Sequence, residues 1–220
     1  MQKNDLSVSG TASARRGRGR PRAFDREAAL AEAMRLFWIK GYEATSIADL
    51  TEALGVGPTS LYAAFGSKDD LYAEALRHYS STYAHLTLGR FREAATARDA
   101  VMAFLYDSAA AMTGADCNLP HGCMVTLGTV GSDGHAELAS LMRSTRGGAF
   151  DLLTARLKKG VEDGELPSSL DITKLARFLQ TVQSGMAIRA RDGAERAELQ
   201  GVAEIAMAGW DGFVAGAGSR

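Results

Sequence analysis

The 220 residues of the chain predict an all-α protein, and three features of the sequence lead to that prediction. Alanine, leucine and methionine are abundant and only four prolines occur, a composition that favours helices. Apolar residues recur at helical spacing in successive segments. Glycine, proline and capping residues bound those segments, and the sequence shows neither strand-like alternation nor an internal repeat.

The first helix is predicted between Asp25, a capping residue, and Gly41, which suits the position just after a helix. The apolar side chains between them follow the i, i+3, i+4, i+7, i+8 pattern of a helix with one buried face: Leu30, Ala33, Met34, Phe37 and Trp38. We therefore expect this helix to pack on a core through that face.

Two short helices are predicted next, separated by a three-residue turn that contains glycine. The first covers residues 46–54, with Thr45 and Ser46 as possible N-caps and a capping box in the letters SIAD. The second covers residues 58–65 and opens with proline, whose missing N–H is no loss at the first helical position. These are the proportions of a DNA-binding helix-turn-helix, although spacing alone also allows an ordinary helical hairpin.

The second short helix carries small and hydrogen-bonding side chains of the kind that enter a major groove: Pro58, Thr59, Ser60, Tyr62 and Ala63. Leu61 and Phe65 are expected to face inward and to hold this helix on the core.

The residues themselves carry a resemblance. Residues 45–50 (TSIADL) and 53–71 (ALGVGPTSLYAAFGSKDDL) closely resemble the N-terminal signature of the TetR family of regulators, as do the Phe37 and the Gly41-Tyr42 pair upstream. The resemblance is strong over about residues 24–72 and only architectural beyond them. It implies an N-terminal three-helix helix-turn-helix domain and a larger C-terminal helical domain for ligand binding and dimerisation.

The resemblance also implies a role for each matching position. Thr45 would cap the second helix and meet a phosphate, and Tyr62 and Lys68 would contact phosphates as well. Four residues would face bases and backbone: Pro58, Thr59, Ser60 and Ala63. Ala63 and Ala64 depart from the larger polar or aromatic residues often found in the family. Methyl contacts to thymine and DNA shape are therefore expected to carry more of the sequence preference.

The positive charge of the chain is concentrated near its start. The formal net charge is −1, yet residues 1–68 carry ten Lys or Arg against seven Asp or Glu. Five of these are the arginines of residues 15–22 (RRGRGRPR). Residues 1–22 are predicted to be a disordered basic arm in which Arg18, Arg20 and Arg22 bind DNA, because arginine is attracted into narrow minor grooves. A solvated tail is the alternative.

The remaining chain is predicted to be helical. A capping box in residues 67–70 (SKDD) begins a long helix. Later helices are expected at about 96–113, 123–130, 135–163, 171–191 and 195–215. By the resemblance, residues 23–70 form the DNA-binding domain and residues 71–220 the ligand-sensing and dimerisation domain.

The last two helices predict a homodimer interface made of four helices, two from each subunit. They carry apolar stripes at Ile172, Leu175, Leu179, Val182 and Met186, and at Val202, Ile205, Gly209 and Phe213. The alternative is that both helices only complete the monomer core. Six large or polar residues on expected inward faces are candidates for lining an effector site: Phe104, Met124, Phe150, Phe178, Gln183 and Met186.

Two cysteines lie close together, at Cys117 and Cys123. They leave three alternatives open. The two thiols form a redox or electrophile switch, they bind zinc with His121 and His135, or Cys123 simply opens a helix after a turn. The spacing lacks a Cys-x-x-Cys pair, which weighs against zinc, so no metal or other cofactor is expected.

Together with these observations, the resemblance to the TetR family implies a homodimeric transcriptional repressor that a small molecule releases from double-stranded operator DNA. No apolar run approaches the length of a membrane span, and no export signal is evident, so a cytoplasmic protein is expected. No catalytic set of side chains stands out, and the chain is therefore not expected to be an enzyme. An enzyme or a plain interaction protein remains the alternative class.

Overall fold

The computed structural model describes residues 24–114, 119–128 and 134–218. Within these ranges the chain is helical and contains no strand, which confirms the all-α prediction. The helices are α1 (Arg26–Lys40), α2 (Ile47–Leu54), α3 (Pro58–Phe65), α4 (Lys68–Glu93), α5 (Ala97–Met112), α6 (Met124–Leu127), α7 (Ala136–Glu162), α8 (Ile172–Arg191) and α9 (Arg196–Gly218). None of these helices is long and apolar enough to cross a membrane.

Local capping sets the ends of the first helices, as predicted. The Asp25 side chain accepts a hydrogen bond from the backbone N–H of Ala28 at 3.0 Å and begins α1. Ser46 and Asp49 form the capping box of α2. Gly55 ends α2 with φ of 64°, a left-handed conformation that glycine adopts without steric cost.

The buried apolar residues form two hydrophobic cores. The first contains residues of α1, α2, α3 and α4, including Phe37, Leu50 and Tyr72, and also Met124 of α6 and Met142 of α7. The second is formed by α5, α7, α8 and α9 with the end of α4. The long helix α4 therefore belongs to both cores and joins them.

One predicted helix is shorter than expected. The sequence predicted helix over residues 123–130, but α6 ends at Leu127. Gly128 adopts an extended conformation with φ of −65° and ψ of 124°, and its N–H bonds to the Met124 carbonyl. Tyr72 and Met142 pack so closely here that a side chain at position 128 would collide with them.

Part of the apolar stripe predicted on α8 belongs to the monomer's own core. Leu175, Leu179 and Met186 are buried there, so the alternative, that the helix completes the monomer core, holds for these three side chains. The large apolar residues that α8 does expose are Phe178 and Ile188. On α9 the predicted stripe is exposed, with Val202, Ile205 and Phe213 accessible. Apart from the helix's own nearby backbone, a Cβ built on Gly209 has no neighbour within 4 Å.

Candidate nucleic-acid interface and adjoining cavity

Helix α3 presents the face that the sequence predicted. Its outward residues are all exposed: Pro58, Thr59, Ser60, Tyr62 and Ala63. Leu61 and Phe65 are buried and hold the helix on the first core. The outward face is uncharged, and its hydroxyl, phenol and methyl groups suit both hydrogen bonding to DNA and apolar contact with thymine.

Arg26 fixes the far end of α3, a role that sequence reasoning missed. Its Nε donates to the carbonyl of Ala64 at 3.2 Å, and its Nη atoms lie 2.6 and 2.7 Å from the carboxylate of Glu74. The guanidinium also stacks on the Phe65 ring at 4.6 Å. The hydrogen bond from Arg26 lowers the pKa of Glu74. One arginine thus holds α1, α3 and α4 in a fixed arrangement.

Helix α2 is tied to α1 by an ion pair. The Nζ of Lys40 lies 2.7 Å from Oδ1 of Asp49, while Oδ2 of the same carboxylate accepts from the backbone and side chain of Ser46. The hydrogen bonds from Lys40 and Ser46 hold the pKa of Asp49 well below its ordinary value. The crossing of α1 and α2 is therefore fixed beside α3.

Thr45 does not have the capping role that the resemblance implied. Its side chain is fully buried, and its hydroxyl donates to the carbonyl of Gly41 at 2.6 Å. Ser46, one residue later, is the N-cap of α2. The predicted capping of α2 by the Thr45 side chain is therefore wrong. Its burial also weighs against a phosphate contact by the side chain, which stays a prediction.

The two other residues proposed for phosphate contacts are accessible. Tyr62 is 47% exposed, and the Nζ of half-buried Lys68 lies 4.2 Å above the ring of Tyr42, which orients it. The three arm arginines, Arg18, Arg20 and Arg22, lie outside the described residues. Their contact with DNA stays a prediction.

A polar cluster connects the helix-turn-helix to the start of α7. The Tyr42 hydroxyl donates to Oδ1 of Asp69, and Nδ1 of His135 lies 2.7 Å from Oδ2 of the same carboxylate. Burial raises the pKa of Asp69, but the hydrogen bonds from Tyr42 and His135 outweigh it, so the net shift is downward. His135, which the sequence offered as a possible zinc ligand, is thus engaged by Asp69.

A cavity of about 560 Å³ opens beside the first core. Its described wall comes from α1, α4, α5, α6, α7 and α8, and Trp38 is the contribution of α1. The cavity therefore reaches the helix-turn-helix directly. The Trp38 ring packs edge-on against Tyr79, with ring centroids 4.8 Å apart, and its indole N–H has no acceptor among the described residues.

Of the six residues predicted to line an effector site, Phe104 and Gln183 line this cavity. The other four lie elsewhere, and the role of all six in effector binding stays a prediction. Met124 and Met186 are buried in the two cores. Phe150 packs beneath the guanidinium of Arg177 at 3.9 Å. Phe178 is half exposed and lines a separate groove of about 330 Å³ between α8 and α9.

The end of α8 is bonded to the end of α1 through Arg191. Its Nη2 donates to the carbonyl of Trp38 at 2.6 Å, its Nη1 to that of Ile39 at 2.9 Å, and its Nε to that of His121 at 3.0 Å. A cation at the C-terminus of a helix satisfies carbonyls that have no partner within the helix. Sequence reasoning missed this residue, because its partners are distant along the chain.

Cys123 lies in the cavity wall, and its sulfur accepts a hydrogen bond from the Tyr79 hydroxyl at 3.4 Å. Burial raises the pKa of Tyr79 well above its ordinary value, which keeps the phenol protonated as the donor. Cys117 lies outside the described residues, so a pairing of the two thiols stays a prediction.

These features define a class: a helix-turn-helix protein in which a larger helical unit with an internal cavity is joined to the DNA-reading helices. Residues 29–75 match the family described as bacterial regulatory proteins, tetR family. The HTH-type transcriptional repressor ComR of Escherichia coli (strain K12) is 35% identical over 95% of this chain and 100% of its own length. The chain therefore belongs to the TetR family.

Two further relatives agree with this assignment. The HTH-type transcriptional repressor BdcR of Escherichia coli (strain K12) is 31% identical over 87% of this chain and 90% of its own length. A cysteine-substituted variant of the TetR family transcriptional regulator CifR, solved with 26-bp double-strand operator DNA, is 38% identical. That similarity covers 86% of this chain and 98% of CifR, with a TM-score of 0.80.

Proposed function

We propose that the chain is a transcriptional repressor that binds operator DNA as a homodimer and leaves it when a small molecule fills the cavity. The observation that carries the proposal is the exposed polar face of α3 together with a cavity whose wall includes Trp38 of α1. The naming of ComR and BdcR as repressors, and the operator complex of CifR, support it.

In this proposal α3 enters the major groove and α2 lies across the backbone. Thr59 and Ser60 supply hydrogen bonds to base edges, and the Ala63 methyl contacts thymine. Tyr62 and Lys68 meet phosphates, which set the position of the protein without reading sequence. The arginines of the arm add the positive charge that the α3 face lacks.

The cavity gives the effector a direct route to the DNA-reading helices. A molecule that moves Trp38 moves α1, and α1 is bonded to α2 through Lys40 and to α3 and α4 through Arg26. An effector that binds better to a conformation with a different spacing of the two reading heads weakens DNA binding by that difference in affinity. Acting on DNA in this way, the protein would work in the cytoplasm and as a regulator, not as a catalyst.

Selection from a library of random duplex DNA tests the proposal. We expect the protein to enrich two inverted half-sites whose centres lie about one helical turn, roughly 34–36 Å, apart. Thr59→Ala and Ser60→Ala should change the enriched sequence, whereas Thr173→Ala, at an exposed position on α8, should leave it unchanged. A selection that enriches no sequence would overturn the proposal.

A further inference from the structure

The cavity wall indicates the chemistry of the molecule it binds. We propose that this cavity binds an organic anion whose apolar part has the size of a small aromatic ring system. The charged group of the ligand would lie at the mouth of the cavity, between Arg146 and Arg177. The inference rests on the proposed function for the role of the cavity as the effector site, and it adds the class of the ligand.

The first observation is the charge of the wall. Among the described residues that line the cavity, Arg146 and Arg177 are the charged ones, and no carboxylate faces them. Arg146 donates to the carbonyl of Gly128 at 2.9 Å, and Arg177 donates to the side chain of Gln180 at 2.7 Å. A guanidinium carries five N–H donors. Both arginines therefore keep donors free for an anion.

The second observation is the apolar interior. Aromatic rings from three helices of the described chain border the cavity: Trp38, Tyr79, Tyr83 and Phe104. Tyr79 packs against Trp38 and lies 5.6 Å from the Tyr83 ring, centroid to centroid. Leucine, alanine and valine side chains line the cavity as well, together with several serine and threonine residues. A wall of rings and short apolar side chains favours a flat or branched hydrocarbon body, because removing such a body from water is the main driving force for its binding.

The third observation is an amide in the cavity wall. Gln183 is 9% exposed and lines the cavity. An amide side chain offers both donors and an acceptor. A polar atom on the ligand, away from its charged group, would pair with it.

These observations favour an anionic ligand over a cationic or a neutral one. A cationic ligand would meet two like charges at the mouth, and a neutral one would leave both guanidinium groups without an added partner. An anion pairs with both and gains charge-assisted hydrogen bonds, which are stronger than neutral ones. Charge at the mouth and rings inside thus point to an amphipathic anion.

Two fluorescent probes that differ only in charge test the inference on the free protein. Anilinonaphthalenesulfonate (ANS) is a ring-sized anion, and phenylnaphthylamine is the same ring system without the sulfonate. We expect the double variant Arg146→Gln/Arg177→Gln to raise the dissociation constant for ANS by about tenfold or more, the effect expected when charge-assisted hydrogen bonds disappear. The dissociation constant for phenylnaphthylamine should change less than about twofold, which also shows that the cavity is still folded.

A matched double variant separates the cavity from general surface charge. Arg143→Gln/Lys174→Gln removes two positive charges from the same helices, α7 and α8, and Lys174 borders the separate apolar groove between α8 and α9. This control should bind ANS as the wild type does. If it loses as much ANS affinity as the first variant, or if both probes respond alike to the removal of Arg146 and Arg177, the inference is overturned.

The outcome is independent of operator binding, because no DNA is present in the titration. Failure to select an operator would overturn the proposed function while leaving a charge-dependent cavity intact. Conversely, a selected operator with ANS binding that ignores Arg146 and Arg177 would retain the repressor and overturn the ligand class.

Discussion

The Nη2 atom of Arg191, in the last turn of α8, donates a 2.6 Å hydrogen bond to the backbone carbonyl of Trp38, near the end of α1. The same guanidinium bonds to the carbonyls of Ile39 and His121. The Trp38 side chain borders the cavity, and so does Gly122, the residue after His121. Arg191 therefore connects the cavity wall to both the helix-turn-helix and the helix that carries Phe178 and Ile188.

Removing this connection should weaken the molecule where its two units meet. Arg191→Met leaves three carbonyls without their donor, and hydrogen bonds to charged groups contribute about 1.5–3 kcal/mol each in favourable cases. Since the side chain is partly exposed, we expect the free energy of unfolding to fall by about 2 kcal/mol in denaturant titrations. Operator binding without effector should weaken as well, because α1 is held less firmly.

Arg189→Met is the matched control, because Arg189 lies two residues earlier, is exposed, and pairs with Glu198 on the surface. Such a surface pair contributes about 0–1 kcal/mol. Equal stability of the Arg191 and Arg189 variants would show that the three carbonyl bonds do not hold the units together. Arg191→Lys keeps the charge but cannot reach three carbonyls at once, so it should restore less than half of the stability.

The Tyr42–Asp69–His135 cluster predicts a dependence of stability on acid. The pKa of Asp69 is lower in the folded protein than in the unfolded chain, so the carboxylate stabilises the fold above its unfolded pKa, near 3.8. That stabilisation disappears as the pH falls through the lower folded value. Asp69→Asn should therefore be less stable than the wild type at neutral pH, by an amount that shrinks below about pH 4.

Thermal melting of both proteins across this range measures the effect. Asp151→Asn, at an exposed position on α7, is the control and should follow the wild-type curve at every pH. A constant difference between Asp69→Asn and the wild type from neutral to acid pH would contradict the prediction, because the interaction removed would then not involve the charge.

The features that could be predicted from the sequence are those determined by interactions between residues close together in the chain. The capping box of Ser46 and Asp49 and the left-handed Gly55 involve neighbours within a few residues, so the ends of α2 could be read directly. Thr45 was the difficult case, because Thr45 and Ser46 are both good N-caps. Only the folded backbone shows that Ser46 has the extended conformation of an N-cap while the hydroxyl of Thr45 turns back to Gly41.

The site residues that were missed depend on distant partners. Arg26 meets Glu74 across 48 residues of sequence, and Arg191 meets Trp38 across 153. No local pattern marks either arginine as one that bonds to residues distant along the chain. Residues of one helix are also hard to tell apart from sequence: Phe178 and Gln183 both lie on α8, and the packing of α8 on its neighbours decides that Gln183 lines the cavity while Phe178 lines the separate groove.

The exposed face of α9 predicts where the homodimer forms. A Cβ built on Gly209 meets nothing within 4 Å, so Gly209→Arg fits the monomer without a clash. Arginine also has a higher helix propensity than glycine, by roughly 1 kcal/mol. We therefore expect a folded protein that sediments as a monomer and loses operator affinity, because each monomer reads only half of the site.

Ala208→Arg provides the comparison, since residue 208 is exposed about 100° around the same helix from Gly209. It adds an equal charge and side chain to α9 and should remain a dimer. A Gly209→Arg variant that still sediments as a dimer would place the interface on another surface.

The arm and the recognition helix should differ in how their substitution affects DNA binding. Arg18 and Arg20 lie in a Gly-Arg-Gly-Arg-Pro stretch, so we expect their contribution to be mainly electrostatic. Changing both to alanine should weaken binding to operator and scrambled DNA alike. Thr59→Ala and Ser60→Ala, on the exposed face of α3, should instead remove the preference for the operator and leave most of the non-specific affinity.

A salt series on both DNA duplexes separates these two effects. When DNA binding releases counterions, the logarithm of the association constant falls linearly with the logarithm of the salt concentration. The slope has a magnitude of about 0.9 for each phosphate neutralised. The Arg18/Arg20 variant should therefore show a shallower slope, by about one unit for each phosphate that either subunit no longer neutralises. The α3 variants should keep the wild-type slope on scrambled DNA, because their side chains are uncharged. If the arm variant also keeps that slope, its arginines do not touch phosphates and the arm is a solvated tail.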